Sequence, residues 1–429
     1  MSSRTSQLAA SEMSPPAAPP DIALKRTLTL TNAVLYGLGV TIGAGIYVLI
    51  GAAAARAGMY APLAFVIAAV LMGLTAASFA ELGGRMPVAA GEAAYVRAAF
   101  RSDRLATLVG LLVIAIAIVS AAAISVGSAG YVGVFLALPE PVRIRLVVLA
   151  MGAIAAWGIK QSVVFAGVMT VIEVGGLMLL IAAGAWLSPD LVTRLPEATP
   201  PLASPVAVAG IASAALLGVF AFIGFEGLVN IAEEVRDPKR TLPRAILLTL
   251  LLTTVLYVLV VWVALVAASP AELAASNAPL ALVFERLTGA SPRTMSLIAI
   301  IATLNGIIVQ IIMSSRVLYG LASQGSLPAA LKDVSPITRT PLNATILTTT
   351  AVLALALLLP LEQLADLTSR ITLVLFALVN LALVRIKARE REAPANTYLA
   401  PSWVPWAGFA SCLALVAADV VLMLAARAP

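Results

Sequence analysis

Long apolar runs alternate with short segments rich in charged residues and proline along most of the chain. A transmembrane helix needs about 20 apolar residues, whereas the strands of a membrane barrel are alternating segments of about ten residues. The pattern therefore predicts an all-α integral membrane protein with about eleven transmembrane helices. The predicted spans are residues 28–53, 61–83, 105–137, 142–159, 162–187, 206–231, 245–268, 294–318, 341–360, 363–384 and 402–425.

The first span contains closely spaced glycines. No charged residue lies between Arg26 and Arg56, and a straight helix over this run would be roughly 44 Å long, against about 30 Å of hydrocarbon. Because a glycine destabilises a helix by roughly 1 kcal/mol relative to alanine, we predict that the helix is interrupted at residues 42–45. Close packing of another helix against Gly39 and Gly43 is the alternative explanation. The glycines of the run are Gly37, Gly39, Gly43 and Gly45.

The sixth span repeats this feature, with an Ile-Gly pair at Ile223 and Gly224 that corresponds to Ile42 and Gly43. The two spans cross the membrane in opposite directions, as in transporters built from inverted repeats whose interrupted helices meet at the binding site. We therefore predict a second interruption at 222–225. The predicted units are inverted five-helix repeats at 25–187 and 206–384, followed by an extra C-terminal span at 402–425.

Composition agrees with a membrane location, because 61% of the residues are hydrophobic, 11% are charged and the mean hydropathy is +1.03. The chain has 27 Lys and Arg against 21 Asp and Glu. The basic residues are concentrated on alternate loops, as the positive-inside rule describes for the cytoplasmic loops of a membrane protein. This placement explains the basic excess, so we expect no nucleic-acid partner. This bias predicts a multi-pass protein of the bacterial inner (plasma) membrane, with the N-terminus cytoplasmic and the C-terminus outside. Residues 1–24 lack a signal-peptide pattern and are predicted to be a disordered cytoplasmic tail.

Several chemistries are excluded by the residues that the sequence lacks. It has no histidine, and Cys412 is its only cysteine. No disulfide can therefore form within the chain, and neither a Cys/His zinc site nor a Ser-His hydrolase can be built. We predict that the protein is not an enzyme and that it uses no cofactor and no metal.

Glu173 lies near the middle of the fifth span. A charge at that depth costs roughly 2.5 to 3.5 kcal/mol, so we expect the carboxyl group to be wholly or partly protonated and to be a candidate for proton coupling. A buried pair with Arg370 is the alternative, although Asp366, one turn earlier on the same predicted helix as Arg370, is the favoured partner for that arginine. Asp419 is expected to be paired or to reach toward the membrane surface.

Five segments, in order and on the expected spans, resemble the amino acid/polyamine/organocation (APC) superfamily. They are IGAGIYVLIG at 42–51, AELGGRMPVAAGEAAYVRAAF at 80–100, FIGFEGLVNIAEEVRDPKRTLPRAI at 222–246, SSRVLYGLASQGSLP at 314–328 and LADLTSRITLVLFALVNLAL at 364–383. The resemblance implies a leucine-transporter-like fold with interrupted helices 1 and 6. It also implies transport by alternating access, with the site between spans one, three, six and eight.

The resemblance also assigns roles to residues at the two interruptions. The substrate carboxylate would bind the amides of Ala44 and Gly45, and its amino group would face the carbonyl groups of Thr41, Phe220 and Ile223. Phe220 would also cover the substrate. The implied substrate-binding set is Thr41, Ile42, Gly43, Ala44, Gly45, Phe220, Phe222, Ile223 and Gly224.

The same resemblance bears on four residues with ion-related roles. Glu226 resembles an acidic residue common in the family, and it would cap the inner half-helix or sense protons. In some relatives the position of Glu173 is a lysine that substitutes for sodium, so the acidic residue here departs from that mechanism. Ser314 and Ser315 lie where the related fold supplies hydroxyl ligands to sodium, although back-bonding to their own helix is the commoner role of such serines.

The sequence thus predicts a secondary active transporter of neutral L-amino acids, coupled to protons. The alternatives are an amino acid or amine exchanger, a sodium-coupled symporter, and a sensor that binds its ligand without transporting it. A channel is disfavoured because the ionisable residues within the spans are few and scattered. The expected partners are a small amino acid substrate, the lipid bilayer and protons, with sodium as the alternative ion.

Overall fold

The computed structural model describes residues 26–43, 45–87, 91–158, 163–201, 204–390 and 397–425. The predicted tail at 1–24 lies outside these residues. The described chain is almost entirely helical, and its isolated β-bridge joins Leu28 to Val235. The α-helices are α1 Leu30–Ile42, α2 Gly45–Ala57, α3 Ala61–Arg85, α4 Gly91–Phe100, α5 Asp103–Val132, α6 Glu140–Trp157, α7 Val163–Leu187, α8 Pro205–Phe222, α9 Pro238–Ala267, α10 Pro270–Ala275, α11 Pro279–Thr288, α12 Arg293–Ser323, α13 Leu342–Leu358, α14 Leu361–Arg389 and α15 Trp403–Ala425.

Each predicted span coincides with one of these helices or, for the first and sixth spans, with two consecutive helical segments. Among the described residues, eight helical stretches are long and apolar enough to cross a membrane, and α1 and α13 are shorter apolar helices. The charged helix α6 belongs to neither group. Its Arg143 donates a 2.6 Å hydrogen bond to the carbonyl oxygen of Ala129 in the last turn of α5, where a cation is favoured by the helix dipole.

Both central helices are interrupted within the predicted stretches. The first helix ends at Ile42 and a new one begins at Gly45, while Ala44 lies outside the described residues. The sixth span leaves the α-conformation after Phe222 and continues as the 3₁₀ segment Phe225–Ile231. Gly224, between the two parts, has φ +130°, a conformation that residues with a side chain rarely adopt.

The two interruptions lie against each other in a reciprocal way. A Cβ atom at Gly45 would lie 2.6 Å from the Cα of Ala221, and one at Gly224 would lie 2.8 Å from both the N and the Cα of Thr41. These distances are shorter than real Cβ contacts, so each close approach requires glycine. Gly39 also serves packing, because its Cβ would lie 2.1 Å from the Oγ1 of Thr170. Both explanations of the glycines in the first span therefore apply, to different residues.

The helices pack in pairs that follow the predicted repeat order. Helix α2 contacts α8, α3 contacts α9, α5 contacts α12, and α6 contacts α13. Helix α15 packs on α3 and α14, at the side of this arrangement. Helices α4, α10 and α11 were not predicted; α10 and α11 pack on α2, and α4 packs on α5 and α14.

The ion pairs of the described residues correct two expectations. Arg370 pairs with Asp419, with 2.6 Å between Nε and Oδ2, and pairs with neither Asp366 nor Glu173. Asp366 instead accepts two hydrogen bonds from Arg56, at 2.8 and 2.9 Å. The prediction for Asp366 was wrong because it used only spacing along one helix, whereas both partners come from other helices.

Candidate functional site

A small cavity lies where the two interrupted helices cross. Its walls come from α1 and α2, from α5, from α8 and from α12, which correspond to predicted spans one, three, six and eight. It has room for about two or three water molecules in this conformation. The lining residues are Gly39, Val40, Thr41, Gly45, Ser120, Ile124, Phe220, Ile223, Asn305, Gly306, Val309 and Gln310.

Four members of the predicted substrate-binding set line this cavity, namely Thr41, Gly45, Phe220 and Ile223. The other described members lie nearby without lining it: Ile42, Gly43, Phe222 and Gly224. Ala44 falls outside the described residues. The cavity therefore gathers the ends of the two interruptions rather than every residue in them.

Phe222 has a structural position instead of a place in the cavity. Its side chain is fully buried, and its ring packs 5.2 Å from the ring of Tyr257 and 6.5 Å from that of Phe65. Ile42 is likewise fully buried in the core. Both residues support the helix crossing, and neither is placed to contact a molecule in the cavity.

Sequence reasoning missed the six lining residues that lie outside the interrupted helices, which are Ser120, Ile124, Asn305, Gly306, Val309 and Gln310. They lie on α5 and α12, the helices that cross behind the interruptions. The available signal was the pair of amide side chains, Asn305 and Gln310, in an otherwise apolar span. Polar groups inside a span commonly face the bundle interior, so this pair could have been chosen as a candidate.

Unpaired polar atoms mark the cavity and its wall. The Oγ1 of Thr41 and the Oε1 of Gln310 are buried and have no hydrogen-bond partner among the residues that the structure describes. The Oε2 of Glu173, which lies behind the wall, is also buried and unpaired. Buried polar atoms are normally hydrogen-bonded, so a group of unsatisfied atoms at one cavity is the pattern expected of a site that receives a polar ligand.

Glu173 connects to this site through one residue. Its side chain is fully buried on α7, and its Oε1 accepts a 3.2 Å hydrogen bond from the Nδ2 of Asn305, which lines the cavity. The hydroxyl of Tyr47 donates to the backbone oxygen of Glu173 at 2.7 Å. No ion pair to Glu173 occurs within the part of the chain that the structure describes. A change at this carboxyl group can therefore reach the cavity through Asn305.

Tyr257 joins the two interrupted helices directly. Its hydroxyl lies 3.0 Å from the backbone oxygen of Thr41 and 2.9 Å from that of Ala221. A hydroxyl group has one proton, so these two carbonyl groups compete for a single donor or share it. The carbonyl group of Thr41, which the resemblance assigned to the substrate, is thus already in contact with Tyr257.

The remaining ion-related candidates lie away from the cavity lining. The Oε2 of Glu226 accepts a 2.8 Å hydrogen bond from the backbone nitrogen of Gly224, so it caps the interruption from the side of the 3₁₀ segment. Ser314 contacts Thr348 of α13 at 3.2 Å, and Ser315 donates to the backbone oxygen of Ile312 at 2.9 Å. The two serines therefore face other partners, which leaves sodium ligation by them a prediction without geometric support.

Two groups of contacts join helix ends on opposite sides of the cavity. At one end, Arg56 of α2 binds Asp366 of α14 and also donates to the backbone oxygen of Ser213 in α8 at 3.2 Å. At the other end, the Leu28 nitrogen donates to the Glu234 oxygen at 3.0 Å, and Arg236 N–H donates to Leu28 O at 2.9 Å. We call the first group the Arg56 clamp and the second the Leu28 bridge.

The two interrupted helices cross at their interruptions, beside a cavity lined by unpaired polar atoms. This arrangement defines a multi-pass membrane transporter with discontinuous transmembrane helices. Comparison with known proteins agrees with this class. The amino acid permease family matches residues 28–428, and the chain belongs to this family, within the APC superfamily. It is a membrane transporter and not an enzyme.

Relatives differ in the substrates that their names state. The branched-chain amino acid permease BcaP of Bacillus subtilis is 30% identical over 395 residues, which cover 86% of this chain and 83% of that protein. The vacuolar cationic amino acid transporter 2 of Arabidopsis thaliana is 29% identical, over 85% of this chain and 60% of its own length. The methylthioribose transporter of Bacillus subtilis is 26% identical, over 87% of this chain and 84% of its own.

Proposed function

We propose that the protein transports neutral L-amino acids by alternating access and that protons drive the transport. The observation that carries the substrate class is the cavity lining, which contains no Asp, Glu, Lys or Arg among the described residues. A cationic or anionic side chain would be buried there without a partner of opposite charge, which is strongly unfavourable.

The amino acid backbone would bind at the polar ends of the interrupted helices. The first amides of α2, beginning at Gly45, have no partner within their own helix and lie at the positive end of its dipole, which favours the substrate carboxylate. The carbonyl groups at the end of α8, including those of Phe220 and Ile223, lie at a negative end and favour the amino group. The unpaired Thr41 hydroxyl supplies a further polar contact.

The substrate side chain would face the apolar part of the lining. Ile124, Phe220, Ile223 and Val309 form this part. The BcaP relative is named for branched-chain amino acids, and an apolar wall of this composition fits such side chains. The cavity is too narrow for an amino acid in this conformation, so binding requires α5 or α12 to move away from the interruptions.

Alternating access would follow from the pairing of helices. The pairs α2 with α8, α3 with α9, α5 with α12 and α6 with α13 support inverted repeats at 25–187 and 206–384. Opening the Arg56 clamp would expose the cavity on one side, and opening the Leu28 bridge would expose it on the other. With both closed, the transporter would be occluded.

Glu173 is the proposed proton carrier. It lies within the membrane on α7, has no cationic partner among the described residues, and reaches the cavity through Asn305. Coupling requires that the carboxyl group bind its proton with different affinity in the two access states. The shared hydrogen bond with Asn305, a residue that must move when the cavity widens, provides a route to that difference.

The orientation that the basic loops predict completes the proposal. The N-terminus and the 233–244 loop would face the cytoplasm, and the Arg56 clamp would face outward. The chain would then lie in the bacterial inner membrane, and α15, which packs on α3 and α14, would be an addition outside the repeats.

A second candidate is a carrier of cationic amino acids. It is favoured by the unpaired Oε2 of Glu173 and by relatives named cationic amino acid transporters. In this alternative a basic side chain would displace the Asn305 amide and pair with Glu173. The neutral substrate is preferred because Asn305, and not Glu173, forms the cavity surface.

Thermal-shift screening of the detergent-solubilised protein against the twenty amino acids separates these candidates, because a ligand that binds only the folded state raises Tm. We expect stabilisation by apolar amino acids and none by Arg or Lys. Stabilisation by Arg and Lys alone would favour the second candidate, and no stabilisation at all would contradict both. Val309→Phe should remove the shift by filling the cavity, whereas Leu297→Phe, on an exposed face of the same helix, should keep it.

A further inference from the structure

Helix α4, between α3 and α5, carries a carboxyl group on its buried face. Glu92 is 7% exposed, and Tyr95, Val96 and Ala99 on the same face are fully buried. Arg97 points to solvent. An amphipathic helix normally buries only apolar residues against its neighbours, so the position of Glu92 requires a specific explanation.

Helix α4 approaches the 3₁₀ segment at Gly91, where a Cβ atom would lie 2.8 Å from the Cγ2 of Val229, and that segment carries a second acid. The carboxyl group of Glu92 interacts electrostatically with that of Glu226, which follows the interruption of the sixth span. Neither residue forms an ion pair in the described part of the chain; Glu226 binds the Gly224 nitrogen. Two carboxyl groups therefore share a buried region without a cation between them.

An unpaired hydroxyl group lies at the same place. The side chain of Tyr95 is fully buried, and its hydroxyl has no hydrogen-bond partner. A Cβ atom at Gly91, the residue next to Glu92, would lie 2.8 Å from the Tyr95 hydroxyl. The side chains of Tyr95 and Glu92 also interact electrostatically. The hydroxyl is thus an available donor at the acidic pair.

The surroundings of the pair are apolar. The Tyr95 ring lies 6.4 Å from that of Phe79, which in turn lies 5.9 Å from the ring of Phe225 in the 3₁₀ segment. The charged groups that α5 and α14 direct toward α4 lie at its other end. Asp103 pairs with Arg97 there, and Arg385 stacks 4.7 Å above the ring of Phe100.

Burial away from water disfavours the ionised form of Glu92, and the charge of Glu226 adds to this penalty, so protonation of Glu92 is favoured. Burial raises the pKa of Glu92 from its ordinary value of 4.5 to about 7. Burial also raises the pKa of Tyr95, which keeps that hydroxyl protonated as a donor.

We propose that Glu92, Glu226 and Tyr95 form a second proton-binding site that fastens α4 to the interruption of the sixth span. With one proton shared between the carboxyl groups, α4 stays packed against the 3₁₀ segment. When that proton passes to cytoplasmic water, both carboxylates are charged, they repel, and α4 separates from the segment that closes the cavity on its side. The inference extends the proposed proton coupling, but it concerns the protein without substrate.

The pH dependence of Tm tests the site in the purified full chain, without sodium and without amino acids. The folded protein binds the Glu92 proton up to about pH 7 and the unfolded chain only up to about pH 4.5, so the stabilisation is lost as the pH rises across that interval. We expect the Tm of the wild type to fall between about pH 5 and pH 8. Glu92→Gln should make this fall smaller, whereas Asp103→Asn, beside the exposed end of α4, should leave it unchanged.

An equal fall in Glu92→Gln and in the wild type would overturn the proposal. A further measurement compares Tm at about pH 8 with sodium or with choline as the cation of the buffer. If sodium restores the Tm of the wild type but not that of Glu92→Gln, the pair binds a metal cation rather than a proton, and the proposal is wrong. No effect of sodium supports the proton site.

Cysteine labelling measures the movement of α4 itself. In a Cys412→Ser background, Ala99→Cys places a thiol on the buried face of α4, and Ala98→Cys places one on its exposed face. The labelling rate at position 99 is divided by the rate at position 98. This ratio cancels the pH dependence of the thiol reaction, which is common to both positions. We expect this ratio to rise several-fold above about pH 7 and to stay flat with Glu92→Gln. A flat ratio in the protein with Glu92 intact would overturn the movement.

This experiment distinguishes the further inference from the proposed function. If no amino acid binds or is transported, the function fails while the Tm and labelling profiles still report on α4. If substrate is transported but the profiles of Glu92→Gln match those of the wild type, the function stands and the second proton site fails.

Discussion

At the scale of single residues, the approach of the two interrupted helices depends on glycine at two positions. Gly45 faces the Cα of Ala221, and Gly224 faces the backbone of Thr41. Gly224 also has φ +130°, so an added side chain would meet both a steric contact and backbone strain. The identity of these residues follows from the crossing itself and not only from helix propensity.

Gly224→Ala should therefore destabilise the fold by about 1 to 3 kcal/mol and abolish substrate binding, because Thr41 would be displaced. Chemical or thermal unfolding with a binding assay measures both effects. Gly320→Ala on α12 is the matched control, since a Cβ there meets nothing within 4 Å and a helical Gly→Ala change stabilises by about 0.4 to 1 kcal/mol. Unchanged binding in Gly224→Ala would contradict the crossing.

Thr41→Val tests the unpaired hydroxyl at the cavity. Replacing an unsatisfied buried hydroxyl with a methyl group should leave Tm equal or higher, whereas the loss of one substrate hydrogen bond of about 0.5 to 1.5 kcal/mol should weaken binding roughly 2- to 13-fold. Thr249→Val removes another unpaired buried hydroxyl, one that faces Gly37, and should not affect binding. Equal loss of binding in both variants would show a general effect of the substitution.

Only some of the residues that line the cavity could be predicted from the sequence. Thr41, Gly45, Phe220 and Ile223 could be predicted because glycines and a family motif mark the interruptions. Asn305 and Gln310 could have been chosen from their amide side chains, but Ser120 and Ile124 could not, since no local pattern shows which face of a straight apolar helix meets a cavity formed by other helices.

At the scale of elements, the Arg56 clamp links α2, α8 and α14 through one guanidinium group. The side chains of Arg56 and Asp366 are 17% and 15% exposed, and their two hydrogen bonds form a bidentate contact. Such geometry fixes the ends of the helices more firmly than a single surface ion pair does. We therefore propose that the clamp restrains one entrance to the cavity.

Arg56→Gln should open that entrance. With Ser120→Cys as the only thiol, in a Cys412→Ser background, we expect an impermeant reagent added outside to label the cavity several-fold faster. Asp366→Asn should act in the same direction. Arg286→Gln, which breaks the exposed pair between Arg286 and Glu272 on α10 and α11, is the control and should leave the rate unchanged. Faster labelling in the control as well would indicate general loosening.

Elements themselves were largely predictable, because every span is an apolar run bounded by charge or proline. Helix α4 was not, since its ten residues are too few for a span and its buried face includes Glu92. The predicted partner of Arg370, Asp366, was wrong for a related reason. Asp366 lies one turn from Arg370 along α14, but Asp419 pairs with Arg370 from α15. Spacing along one helix cannot predict a contact between two helices.

At the scale of the whole molecule, a cavity that holds only a few water molecules lies between the Arg56 clamp and the Leu28 bridge. In the proposed transport cycle, the Arg56 clamp and the Leu28 bridge open in turn, and Glu173 responds to the change through Asn305. A group with equal proton affinity in both states could not bias either, so this single hydrogen bond is central to the coupling.

Uptake of a neutral apolar amino acid into sodium-free proteoliposomes under an imposed pH gradient tests this account most directly, with the wild type compared against Glu173→Gln. We predict that the wild type accumulates substrate without sodium. Glu173→Gln should retain ligand-induced stabilisation, because Gln keeps an acceptor for Asn305, yet lose the gradient-driven accumulation. A sodium requirement in the wild type, or equal accumulation by both proteins, would contradict Glu173 as the proton carrier.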